Sequence, residues 1–114
     1  MNSILIIDDD DHIGMILSQV LSDQDYQVQY AHNGKEGIKL FNSTCKFDML
    51  ITDIRMPEMD GNELARYIRS STESETPIVA ITGFSHEADV ELFDFILMKP
   101  FSLETLVKSV ELFV

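Results

Sequence analysis

Basic residues are scarce in this chain: eight Lys and Arg stand against 20 Asp and Glu, a formal net charge of −12 over 114 residues. A surface so acidic repels nucleic-acid phosphates, which are bound through cationic side chains. Direct nucleic-acid binding is therefore not expected, and any influence on transcription would pass through something else. There is one cysteine, which rules out an internal disulfide. Cys45 also lacks a Cys or His partner at zinc-ligand spacing and is expected to be an inert residue near a strand start. No apolar stretch approaches the roughly 20 residues of a membrane-spanning helix, so no membrane association is expected. The opening Met-Asn-Ser-Ile-Leu-Ile-Ile-Asp has neither a basic region nor a small-residue cleavage site, and the cytoplasm is the expected compartment. Repeats, low-complexity tracts and linkers are missing too, so a single domain spanning 1–114, with no effector domain, is expected.

What is present alternates between strand and helix. Ile4-Leu5-Ile6-Ile7 is a continuous apolar run, as in a strand covered on both faces. Ile13, Ile16, Leu17, Val20 and Leu21 follow at helical spacing, with Asp10 or Asp11 placed to cap the helix. Residues 26–31 alternate as a strand does, and Asn33-Gly34 is a turn signal. Gly37, Ile38 and Phe41 then mark one face of a short helix. Met49-Leu50-Ile51-Thr52 predicts a third strand, after which Pro57 and Asp60-Gly61 punctuate a loop. Leu64, Ala65 and Ile68 form the next helical stripe, with Asp60 and Glu63 spaced as a capping box. Pro77 precedes a fourth strand, Ile78-Val79-Ala80-Ile81, and Phe95-Ile96-Leu97-Met98 reads as a fifth. Ser102 can cap a last helix buried along Leu103, Leu106, Val107 and Val110. Strands alternating with helices through right-handed crossovers make an α/β, doubly wound parallel sheet with helices on both faces.

The polar residues that end these strands carry the chemistry. Asp8 and Asp9 follow the first strand, Asp53 the third, Thr82 the fourth and Lys99 the fifth. In an open α/β sheet, ligands bind at the carboxyl ends of the strands. Two carboxylates about 4 Å apart repel by roughly 4 kcal/mol at an effective dielectric of 20. Gathering several of them makes sense with a cation between them. Magnesium suits such a site, because it takes oxygen ligands and is commonly held by one or two carboxylates plus phosphate oxygens. His12, His32 and His86 form no ligand cluster and are expected at the surface. The six methionines read as core filler and loop packing.

Four segments, ILIIDDD, MLITDIRMPEMDG, IVAITGF and LMKPF, together resemble the receiver domain of two-component response regulators. The resemblance covers essentially the whole chain and implies the flavodoxin-like strand order 2-1-3-4-5. It implies that Asp53 is the phosphoacceptor, attacking the phosphorus of a phosphohistidine on a histidine kinase or phosphotransfer protein. It further implies a Mg2+ site, with Mn2+ or Ca2+ as substitutes, formed by Asp8, Asp9, Asp53 and the backbone carbonyl of Arg55. Thr82 and Lys99 would contact the phosphoryl group, and a cis Lys99-Pro100 peptide would aim the lysine. Arg55, Gly83, Phe84, Ile96 and Pro100 fall at positions that modulate or switch in this family. Such a chain is a signalling module, catalysing only its own phosphorylation and dephosphorylation.

Two departures from the family pattern stand out. Between Thr82 and Lys99 the chain is about five residues short, roughly one and a half helical turns. The fourth helix is therefore expected to be shortened, with residues 86 to 92 or 93 available for about two turns, marginal without tertiary packing. The family's switching aromatic, three positions before Lys99, is Ile96 here, and Phe95 could replace it only through a register shift. Phosphoacceptor chemistry is thus expected to persist with altered output, and a second copy could cover the surface left by the short crossover. Two other readings compete. Asp8-x-Asp10 mimics the paired aspartates of haloacid-dehalogenase-like phosphatases, and the departures also suit a silent, interaction-only pseudo-receiver.

Overall fold

The computed structural model describes residues 2–43 and 46–114; Cys45 lies outside the described residues. The elements are β1 (Ser3–Ile7), α1 (Asp11–Ser22), β2 (Gln27–Ala31), α2 (Gly34–Phe41), β3 (Met49–Asp53), α3 (Gly61–Arg69), β4 (Ile78–Thr82), β5 (Phe95–Met98) and α4 (Leu103–Glu111). The five strands form one sheet in the order β2-β1-β3-β4-β5, and every neighbouring pair is parallel. This is the expected doubly wound sheet.

The continuous apolar runs are explained by burial on both faces. Ile4, Ile6, Met49, Ile51, Val79 and Ile81 pack on one side against Leu17 and Leu21 of α1 and Leu106 and Val110 of α4. Leu5, Ile7, Leu50 and Ile78 pack on the other side with Leu64, Ala65 and Ile68 of α3. Each such side chain, fully buried, contributes about 1.5–3 kcal/mol, so the central strands fix the register of everything at their ends. Ile7 pairs with Thr52, Asp53 with Ile81 and Thr82 with Met98. Each strand therefore stops within one position of its neighbours, and the residues at these ends share one edge.

Local chemistry sets the helix starts. Asp10 is the N-cap of α1, accepting from the amides of His12 and Ile13. Asp60 and Glu63 complete the capping box of α3, and Ser102 caps α4. Asn33-Gly34, read as a turn, is instead a helix entry: the Asn33 side chain accepts from the Glu36 amide at 2.8 Å and Gly34 begins α2. Two stripe residues face outward, Ile16 at 38% and Leu103 at 46% exposure. Met49 and Met56 are buried, but Met15 and Met98 are exposed, so the core-filler reading of the methionines fails for those two.

The crossover between β4 and β5 shrinks further than expected. Its only regular element is a single 3-10 turn, Ser85–Glu87, and no α-helix occupies residues 86–93. Tertiary bonds do the helix's work. The Asn62 side chain donates to the Glu87 carbonyl at 2.7 Å and accepts from the Asp89 amide at 2.9 Å. The Arg69 guanidinium reaches the Leu92 carbonyl at 3.0 Å and the Asp94 carboxylate at 2.8 Å. Asp94 in turn accepts from the Ile78 amide at 2.8 Å. Ala88 and Phe93 fill the apolar space against Ile54, Ala80 and Ile96. Phe95 packs into the cluster on the opposite face, so it does not stand in for the missing aromatic.

Candidate functional site

At the carboxyl edge of the sheet, carboxylate oxygens of Asp8, Asp9 and Asp53 lie within 4.8 Å of one another. Asp8 and Asp53 are buried and Asp9 is exposed. The Lys99 ammonium sits 3.6 Å from Asp53 Oδ1. Thr82, only 2% exposed, ends β4, one position beyond the residue paired with Asp53. All five strand-end residues singled out by the sequence therefore fall on one edge.

The hydrogen bonds of the Asp8 side chain satisfy only one of its two oxygens. Its Oδ1 accepts from the Asp10 amide at 2.9 Å, while its Oδ2 is buried without a hydrogen-bond partner. Orphaned buried acceptors are rare and cost about 1–3 kcal/mol, more when charged. Burial, first, pushes the Asp8 carboxyl up to about 6; the Asp10 amide opposes this, and the charges of Asp53 and Asp9 add to it. Asp53 is raised as well, by burial, against the pull of Lys99 and the Ile54 amide. A hard divalent cation would satisfy the orphaned oxygen and remove the repulsion, so the donor set fits Mg2+.

Other contacts steady this edge. The Tyr30 hydroxyl lies 2.6 Å from the Asp8 carbonyl and 2.7 Å from Asp11 Oδ1; burial and the Asp11 hydrogen bond raise its pKa. The amide of Ile54 donates to Asp53 Oδ1 at 2.9 Å. At Gly61 a Cβ would lie 2.3 Å from the Asp53 carbonyl oxygen, so only glycine lets α3 begin this close to β3. The Lys99-Pro100 peptide is cis. Among the other singled-out positions, Gly83 has open space around it, and Ile96 is half-buried beside Ala80 and Ala88. The Arg55 guanidinium stacks over the exposed Phe84 ring, 4.7 Å from its centroid. His12, His32 and His86 are exposed.

Two participants escaped the sequence reading. Tyr30 precedes the last residue of β2 and could have been found by the same strand-end rule, but its alternating pattern reads as a solvent face. Glu87 carries no local signal at all. It forms an ion pair with Arg55, which lowers its pKa, and its second oxygen is 3.3 Å from the Thr82 hydroxyl. Asp10, by contrast, spends its carboxylate on capping α1.

The family model for the response regulator receiver domain matches residues 4–111. Regulatory protein AtoC of Escherichia coli (strain K12) is 37% identical over 112 residues, covering 93% of this chain and 24% of its own length. The chain spans between about a quarter and a half of the length of the first curated relatives it matches. Among solved structures, chemotaxis protein CheY4 of Vibrio cholerae is 30% identical, with a TM-score of 0.91 over 100% of this chain and 99% of that one. Response regulator protein TrrA of Thermotoga maritima, in complex with Mg(2+)-BeF, is 30% identical with a TM-score of 0.89 over 100% of both chains. By sequence and by fold, the chain belongs to the family of response regulator receiver domains, signalling modules of two-component systems.

Proposed function

We propose that this chain is a phosphoacceptor switch in which Asp53 takes a phosphoryl group from a phosphohistidine on a histidine kinase or phosphotransfer protein. The observation that carries this reading is the Lys99 ammonium 3.6 Å from Asp53 Oδ1, beside two further carboxylates within 4.8 Å. An Asp53 oxygen forms the new O–P bond while the P–N bond breaks, and the electron pair returns to the imidazole nitrogen. A carboxylate is a competent nucleophile for such transfers. Lys99 would stabilise charge on the transferring oxygens, and Thr82 would donate its hydroxyl to the same group. Asp8, Asp9, Asp53 and the Arg55 carbonyl are the residues that would hold Mg2+. When bound, the ion supplies charge neutralisation between the carboxylates and the phosphoryl oxygens. Mn2+ or Ca2+ are substitutes on the same oxygen-donor chemistry.

The phosphatase reading needs Asp10 as a partner of Asp8, and Asp10 is committed to the α1 N-cap. Among the described residues, a single cluster of metal-ligating type is present, without the second acidic pair such hydrolases use. The silent pseudo-receiver reading draws on Ile96 and the lost helix, which bear on output rather than on Asp53. Output then passes through protein contacts on the surface around the β4–β5 crossover, with a second copy of the chain as one partner.

Incubation with Mg2+ and acetyl phosphate, read by intact mass, tests the proposal. The wild type gains one phosphoryl group, whereas Asp53→Ala and a chelator-treated sample gain none; a mass gain in Asp53→Ala would refute it. Size-exclusion of the same samples reads any dimer formed on phosphorylation.

A further inference from the structure

Thr82, at the end of β4, and Arg55, two positions after Asp53, are both already engaged by one carboxylate. Glu87 Oε1 pairs with the Arg55 guanidinium, and Glu87 Oε2 lies 3.3 Å from Thr82 Oγ1. The Thr82 hydroxyl has one proton, and the Phe84 carbonyl at 3.2 Å is its other acceptor. Glu87 is therefore an anion held against the donor that a phosphoryl oxygen would need. Its main chain is fixed independently, since Asn62 bonds the Glu87 carbonyl and the Asp89 amide. The carboxylate can swing out without unseating the crossover.

We propose that Glu87 is a positioning residue that latches Thr82 and Arg55 in the unphosphorylated chain and is displaced when Asp53 carries a phosphoryl group. The inference rests on the phosphoacceptor reading and deepens it. A phosphoryl group brings close to two negative charges at neutral pH, and like charges repel across so short a span. The displaced carboxylate leaves Arg55 without its ion-pair partner, changing the charge and shape of the exposed patch that Arg55 forms with Phe84. In this chain that patch takes the place of the aromatic relay, because Ile96 offers no ring to rotate.

The test compares wild type, Glu87→Gln and Glu87→Asp in Mg2+ and acetyl phosphate, following the rate of mass gain. Glu87→Gln keeps the side chain's length without its charge, and Glu87→Asp keeps the charge one methylene short. Exposed ion pairs shift equilibria by about two- to fivefold, so Glu87→Gln gains mass faster by that factor and Glu87→Asp lies between. In 15N-resolved NMR, the Arg55 Nε–H signal of the wild type moves on saturation with Mg2+ and beryllofluoride, toward its position in resting Glu87→Gln. Equal rates in all three proteins, or an Arg55 signal that stays put at saturation, would overturn the latch and leave the phosphoacceptor reading intact. A wild type that gains no mass would overturn both.

Discussion

Replacing Asp8 by Asn removes the charge that the fold holds at greatest disadvantage, and metal-free protein should become more stable for it. The Asp8 carboxyl titrates near 6 instead of its ordinary 3.8. Below about pH 4 it is protonated in folded and unfolded chains alike and contributes nothing. Between pH 4 and 6 the unfolded chain releases the proton while the folded chain keeps it, so folding stability falls as pH rises. Above about pH 6 the penalty is complete, about 3 kcal/mol at 1.36 kcal/mol per pH unit. Solvent enters beside exposed Asp9 and half-exposed Lys99, and screening leaves about 1–3 kcal/mol of it. The Asn side chain keeps the acceptor for the Asp10 amide, and its new amide group can donate to a neighbouring carboxylate. For a chain of this length, the gain corresponds to a Tm rise of about 4–12 °C. Thermal melts in chelator at pH 4, 5, 6, 7 and 8 measure it: the two proteins converge at pH 4 and separate by pH 7. A variant no more stable than wild type at pH 7, or a difference that does not depend on pH, would refute the reasoning.

Three further outcomes follow from the same contacts. Mg2+ at about 100 times its Kd should stabilise wild type by about 2.7 kcal/mol and Asp8→Asn by much less, as calorimetric melts with and without the ion will read. Gly61→Ala puts a Cβ 2.3 Å from the Asp53 carbonyl oxygen, so it should cost about 1–3 kcal/mol in urea unfolding and slow phosphorylation by displacing Asp53. Arg69→Ala strips donors from the carbonyls of Ser74, Thr76 and Leu92 and from Asp94. It should cost about 2–4 kcal/mol, with amide exchange rising first across residues 88–94.

Most of the site was legible because its signal is local. A buried strand announces itself as an apolar run, and the residue that ends it is known to within one position. Asp8, Asp9, Asp53, Thr82 and Lys99 follow from that rule, as the caps Asp10, Asp60 and Ser102 follow from theirs. The β4–β5 crossover was legible only as a shortage of residues. Its actual course depends on Asn62 and Arg69, which lie on α3 and reach it across 23 to 27 positions of sequence. No window of sequence contains both ends of those bonds. Glu87 was missed for the same reason, since its partners are Arg55 and Thr82. Asn33-Gly34 was misread because Asn serves turns and helix caps through the same side-chain acceptance of a backbone amide. Met15 and Met98 were misassigned because methionine's composition signal says nothing about which face it occupies.

The proposed role of Asp53 as nucleophile is tested most directly by trapping. Borohydride reduces an acyl phosphate to an alcohol and would convert a phosphorylated aspartate to homoserine at the modified position only. After incubation with Mg2+ and acetyl phosphate, peptide sequencing by tandem mass spectrometry should place homoserine at position 53 and nowhere else. Homoserine at position 8 would instead make Asp8 the nucleophile and contradict the account.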